Sequence, residues 1–186
     1  VVDALLRIGG VRFPDLQITG SEAMTGYRNK VQFPVQAQNK KAMAGFYKAR
    51  SHTVIPITDC KIQPACAESV RKAVLSWMEQ EKIPAYDEKA HRGMVRHIYL
   101  RCGKVTGEIL VCLVANCDAL PKKESLVQTL RKALPEITSI VVNYNTKKSN
   151  VILAERYETL YGSGTLEDEL CGLRFRLSPA AFYQVN

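Results

Sequence analysis

The stretch from Gly26 to Cys60 constrains this chain most, because its side chains alternate and its charges carry one sign. Tyr27, Val31, Phe33 and Val35 share one parity; Arg28, Lys30, Gln32 and Gln36 share the other. In a strand, parity is face. One face would be apolar and packed, the other basic and rich in amides. No carboxylate lies between Glu22 and Asp59, whereas Arg28, Lys30, Lys40, Lys41, Lys48 and Arg50 all fall inside. Those cations supply most of the formal charge of +8. Charge alone leaves two readings open: a face for a phosphate backbone, or a solvated lysine face.

Periodicity organises the remainder. Residues 1–8 read as a short helix, and 11–25, with Pro14, Gly20 and Ser21, as a connector. Strands are expected over Tyr27–Gln36, with Pro34 at an edge or bulge, then Met43–Ala49 and Thr53–Ile57. From Pro64 to Lys82 the stripe Cys66, Val70, Ala73, Val74 and Trp77 predicts an amphipathic helix with Trp77 in the core. Met94–Cys102 and Glu108–Ala115 predict a hairpin. The run ILVCLVA is apolar at every position and suits a central strand. A second helix follows over Lys122–Leu134, then strands over Ile137–Tyr144 and Asn150–Ala154, and a short strand Leu173–Leu177. Short connections argue for an α+β fold: a mainly antiparallel sheet with two packed helices on one face, plus short flanking segments.

Of the 186 residues, 46% are apolar, enough for a packed core. The six cysteines, at 60, 66, 102, 112, 117 and 171, include no C-x-x-C pair and no zinc-finger spacing. No apolar run reaches the length of a membrane span. The expectation is a reduced, cytoplasmic monomer. Both ends read as cut: an amphipathic pattern is already running at Val1, and Ser178-Pro179 is a helix start with seven residues after it.

Four motifs in order carry a resemblance: GYRNK from Gly26, GFYKA from Gly45, ITDC ending at Cys60, and SPAAFYQVN from Ser178. Together they resemble the bacterial RNA uracil-5 methyltransferases, closest to those acting on 23S ribosomal RNA, over residues 26–186. The resemblance implies a division into residues 1–25 (connector), 26–157 (central RNA-recognition domain) and 158–186 (entry to an S-adenosylmethionine-binding domain). It implies RNA as partner, with Arg28 and Lys30, and Lys48 and Arg50 on the neighbouring strand, as phosphate contacts. It implies Gln184 as a contact to S-adenosylmethionine. It also implies Cys60 as the fourth ligand of an iron–sulfur cluster whose other three cysteines are not in these residues.

The chemistry of such enzymes needs a thiolate that adds to carbon 6 of uracil and a base for the carbon 5 proton. None of the six cysteines is assigned as that nucleophile, so the expected role is recognition without catalysis. Arg96 is a further candidate RNA contact; His52, His91 and His97 read as structural or solvent-facing. A tRNA-specific relative and a non-catalytic basic RNA-binding module are the rival readings.

Overall fold

The structure, a computed structural model, describes residues 2–12, 17, 19–39 and 41–183. A short helix α1 (Val2–Arg7) precedes three strands, β1 (Lys30–Gln38), β2 (Lys41–Tyr47) and β3 (Val54–Pro56). Helix α2 (Cys66–Gln80) leads to β4 (Val95–Cys102) and β5 (Ile109–Ala115). Helix α3 (Lys123–Ala133) leads to β6 (Ile137–Tyr144) and β7 (Arg156–Tyr161). A separate hairpin, β8 (Leu166–Leu170) and β9 (Leu173–Leu177), follows.

Seven strands form one sheet in the order β3-β2-β1-β4-β5-β6-β7. Every neighbouring pair is antiparallel except β5 and β6, where α3 provides the crossover that parallel strands require. The α+β expectation holds.

One face of the sheet carries the main core. Val31, Phe33 and Val35 point into it, as their parity predicts, and belong to one core cluster with Val70, Val74 and Trp77 of α2 and Leu126 and Leu130 of α3. Trp77 is fully buried, and its indole N–H donates to the Lys122 carbonyl at 3.2 Å. On the other face, Tyr99, Leu110, Cys112 and Val141 are covered by Leu166 and Leu177 of the β8–β9 hairpin. With both of its faces covered, β5 buries every residue.

The hairpin is fastened by polar groups. The buried Asp168 carboxylate accepts the backbone N–H groups of Lys104, at 2.9 Å, and Val105, at 3.0 Å, in the β4–β5 turn. Glu167 is held at both ends: Thr106 Oγ1 donates to its carbonyl at 2.6 Å, and its own N–H donates to Glu108 at 2.8 Å.

Four local expectations are corrected. Strand β1 begins at Lys30, leaving Tyr27 and Arg28 outside it. Pro34 is not on an edge: β1 pairs with β4 up to Pro34 and with β2 from Val35, so the residue lacking an N–H sits where the strand changes partner. Asn150–Ala154 is not a strand. Asn145 donates to the carbonyls of Val151 and Ile152, and Asn143 exchanges hydrogen bonds with Ala154, so side-chain amides hold this segment as a loop. Ser178–Tyr183 makes a turn rather than a helical start, because Arg101 donates to the carbonyls of Pro179 and Ala181.

Candidate nucleic-acid interface

The four cations expected on RNA fall in two places: Arg28 and Lys30 at the entry to β1, and Lys48 and Arg50 in the turn after β2. Arg28 is exposed, and its N–H donates to Ile62 at 3.1 Å; Gly26 donates to Lys61 at 2.7 Å. These bonds tie the segment before β1 to the loop that carries Cys60. Lys30, half-buried, opens β1 opposite Arg101 of β4. Lys48 and Arg50 are not on a strand: β2 ends at Tyr47, and Lys48–Ser51 turns into β3, with Arg50 at φ 56°. The turn closes through Ser51 N–H to the Lys48 carbonyl at 3.0 Å and Lys48 N–H to the Thr53 carbonyl at 2.9 Å. Both side chains are exposed.

Arg96 points inward instead. It is buried and donates to the carbonyls of Asn145, Lys147 and Ser149, at 2.8, 2.9 and 3.2 Å, while lying 4.7 Å over the Tyr86 ring. It braces a loop and is not open to phosphate. His97 is buried beside it with Nδ1 unpartnered. Burial, and secondarily the Arg96 charge, depress its pKa to about 4, so it is neutral at pH 7.

The thiols divide by environment. Cys112 is buried and pushed up to about 12. Cys66 and Cys102 lie 3.2 Å apart, sulfur to sulfur; the hydrogen bond between them lowers Cys66 and raises Cys102. Cys60 is half-buried beside Asp59 and Lys61. Among the described residues no group of three or more His, Cys, Asp or Glu side chains is placed to hold a metal ion. Gln184 lies outside the described residues. Among the described residues no helix is long and apolar enough to cross a membrane.

Sequence reasoning missed the use of the sheet's second face. Near β1, β2 and β4 that face is not covered by the β8–β9 hairpin and carries Gln36, Tyr47, His97 and the His52–Glu88 pair around a hollow. The one available signal was the parity that put Gln32 and Gln36 opposite the core.

No family model matches the chain. Sequence comparison finds relatives along its whole length. A protein named as an RNA methyltransferase from Clostridium tetani is 38% identical over 186 residues, which are 100% of this chain and 40% of that protein. Proteins of the same name from Caldanaerobacter subterraneus and Halalkalibacterium halodurans are 35% and 38% identical, with 41% of each covered. The chain thus spans about two-fifths of the length of the curated relatives it matches. Among solved structures, Pyrococcus abyssi tRNA (uracil-54, C5)-methyltransferase, in complex with S-adenosyl-L-homocysteine, matches with a TM-score of 0.78 at 23% identity, over 100% of this chain and 43% of that one. Over its whole length, then, this chain is homologous to part of proteins named RNA methyltransferase, and it shares its fold with part of a uracil C5-methyltransferase.

Proposed function

We propose that the chain is the RNA-recognition part of an S-adenosylmethionine-dependent methyltransferase acting on carbon 5 of a uridine in 23S ribosomal RNA. In this reading residues 26–157 grip the RNA, and 1–25 and 158–186 connect to the methyltransferase domain. The observation that carries it is full-length relatedness to RNA methyltransferases. The exposed Arg28, Lys48 and Arg50, with Lys30, supply the cations that phosphates need.

This chain's own residues bind and orient RNA. Methyl transfer to uracil needs an accessible thiolate at carbon 6. Cys112 is buried with its thiol pushed up to about 12, and Cys102 is raised by Cys66 and by burial, so neither suits that role. S-adenosylmethionine, when bound, supplies the methyl group; Gln184 is the residue of this chain proposed to touch it. Cys60 offers one thiolate to an iron–sulfur cluster. The described residues do not form a cluster site around it. A cytoplasmic setting accompanies this reading.

A second reading has its own support: the matching solved structure is a tRNA enzyme. Deleting the coding gene and mapping 5-methyluridine by mass spectrometry separates the two. Loss of 5-methyluridine from 23S ribosomal RNA is expected. Loss from tRNA alone would favour the second reading, and loss from neither would overturn both.

A further inference from the structure

The part of the second face beyond the β8–β9 hairpin holds a pocket of about 240 Å³ between the ends of β1, β2 and β4 and the loop at Ser149–Ile152. That volume is below the roughly 300–1,000 Å³ of clefts that enclose whole drug-sized ligands. It fits a single ring system. One wall is Tyr86, backed by Arg96 and held by its hydroxyl at 2.7 Å from His91 Nδ1. Gly93 makes this wall possible. At φ 92°, a Cβ there would lie 2.0 Å from the Ala85 carbonyl oxygen, so only glycine lets the chain fold back beside Tyr86.

A second part of the lining is open and aromatic. Tyr47 is 46% exposed at the end of β2, and its ring sits 5.5 Å from the ring of His52. His52 Nδ1 is 2.6 Å from Glu88 Oε2, which occupies the acid of this wall. Gln36 spends its Oε1 on the Val54 N–H, at 3.0 Å, leaving its amide N–H groups for a ligand. His97, also lining the pocket, is buried with an unpartnered ring nitrogen. A buried polar atom without a partner costs free energy and calls for one.

Exposed cations neighbour the lining residues in sequence. Lys48 directly follows Tyr47, Arg50 lies two residues before His52, and Lys147 and Lys148 directly precede Ser149; all four are exposed. Aromatic walls, mixed hydrogen-bonding groups and nearby basic residues are the features that hold single-stranded RNA.

We propose that this pocket takes one unstacked base of a single-stranded RNA, stacked on Tyr47, with Lys48 and Arg50 on the flanking phosphates. The inference rests on the RNA-binding reading above and adds the position of a base site. A phosphate-only surface would need neither the aromatic walls nor the inward polar groups.

The test is binding of a labelled 12-nucleotide oligouridylate, by fluorescence anisotropy over a salt series, to the protein and two variants. Tyr47→Ala should weaken binding by about fivefold to 100-fold, with the salt dependence unchanged. The double variant Lys48→Ala, Arg50→Ala should flatten the slope of log K against log salt by roughly 1.4. On the unaltered protein, an oligouridylate carrying 4-thiouridine should photocrosslink to Tyr47 or His52. RNA binding that Tyr47→Ala leaves unchanged, or a crosslink confined to other residues, would overturn the pocket while the RNA reading stands. No RNA binding by the unaltered protein would overturn both.

Discussion

The two faces of the sheet are built on different principles. The face under α2 and α3 is one continuous apolar layer, from Val31 on β1 to Tyr144 on β6. The opposite face has its apolar cluster where the β8–β9 hairpin sits, over Tyr99, Leu110, Cys112 and Val141. Beyond the hairpin it carries Gln36, His97 and the pocket, whose lining mixes polar and apolar side chains. Burial of apolar area scales with contact and tolerates local variation. Polar fastening depends on single groups whose removal leaves partners unsatisfied. The first face therefore holds the fold, and the second has room to bind.

The largest expected effect lies on the first face. Trp77→Ala removes a fully buried ring and its bond to the Lys122 carbonyl. It should cost about 3–5 kcal/mol in chemical denaturation. A loss below about 1 kcal/mol would mean that the helix-covered layer is not the main source of stability.

Next is a pH effect on the second face. The pKa of His97 in the folded chain, about 4, lies below its ordinary value of 6.5. The stability linked to its neutral form is thus complete above pH 6.5 and is lost as pH falls from there through 4. The full span is roughly 3 kcal/mol. Denaturation across that range should show the decline, and His97→Gln should remove this part of it. Equal pH dependence in the two proteins would contradict the burial of a neutral imidazole here.

Asp168→Asn should be milder and more local. Burial raises the Asp168 pKa, but the backbone N–H groups of Lys104, Val105, Glu169 and Thr106 outweigh it, and the net shift is downward. The carboxylate's contribution is therefore present above its ordinary pKa and lost as pH falls through the lowered one. The amide variant should cost about 1–3 kcal/mol. Hydrogen exchange should speed up in β8 and β9 before it does in β4–β6. Uniform acceleration across the sheet would show that the hairpin and sheet open as one unit.

This contrast also explains what could be read from the sequence. The helix-covered face was legible because periodicity writes it, in the α2 stripe and the wholly apolar β5. Strand β9 was legible at both ends. The loop at Asn150–Ala154 was not, because the bonds that decide it come from the side chains of Asn143 and Asn145. The turn after Ser178 was set by Arg101, distant in sequence. The basic residues of the candidate site were visible as charges, but their placement was not. Lys48 and Arg50 follow the end of a strand instead of continuing it, and Arg96 turned inward to brace a loop. The pocket wrote no motif, since its walls come from five separate parts of the chain.

The most direct measurement of the central claim is hydrogen exchange of the protein with and without the 12-nucleotide oligouridylate. Binding on the second face predicts slowed exchange over residues 28–36, 47–54 and 146–152, with α2 and α3 unchanged. Protection centred on α2 and α3, with none around Tyr47 and His52, would contradict it.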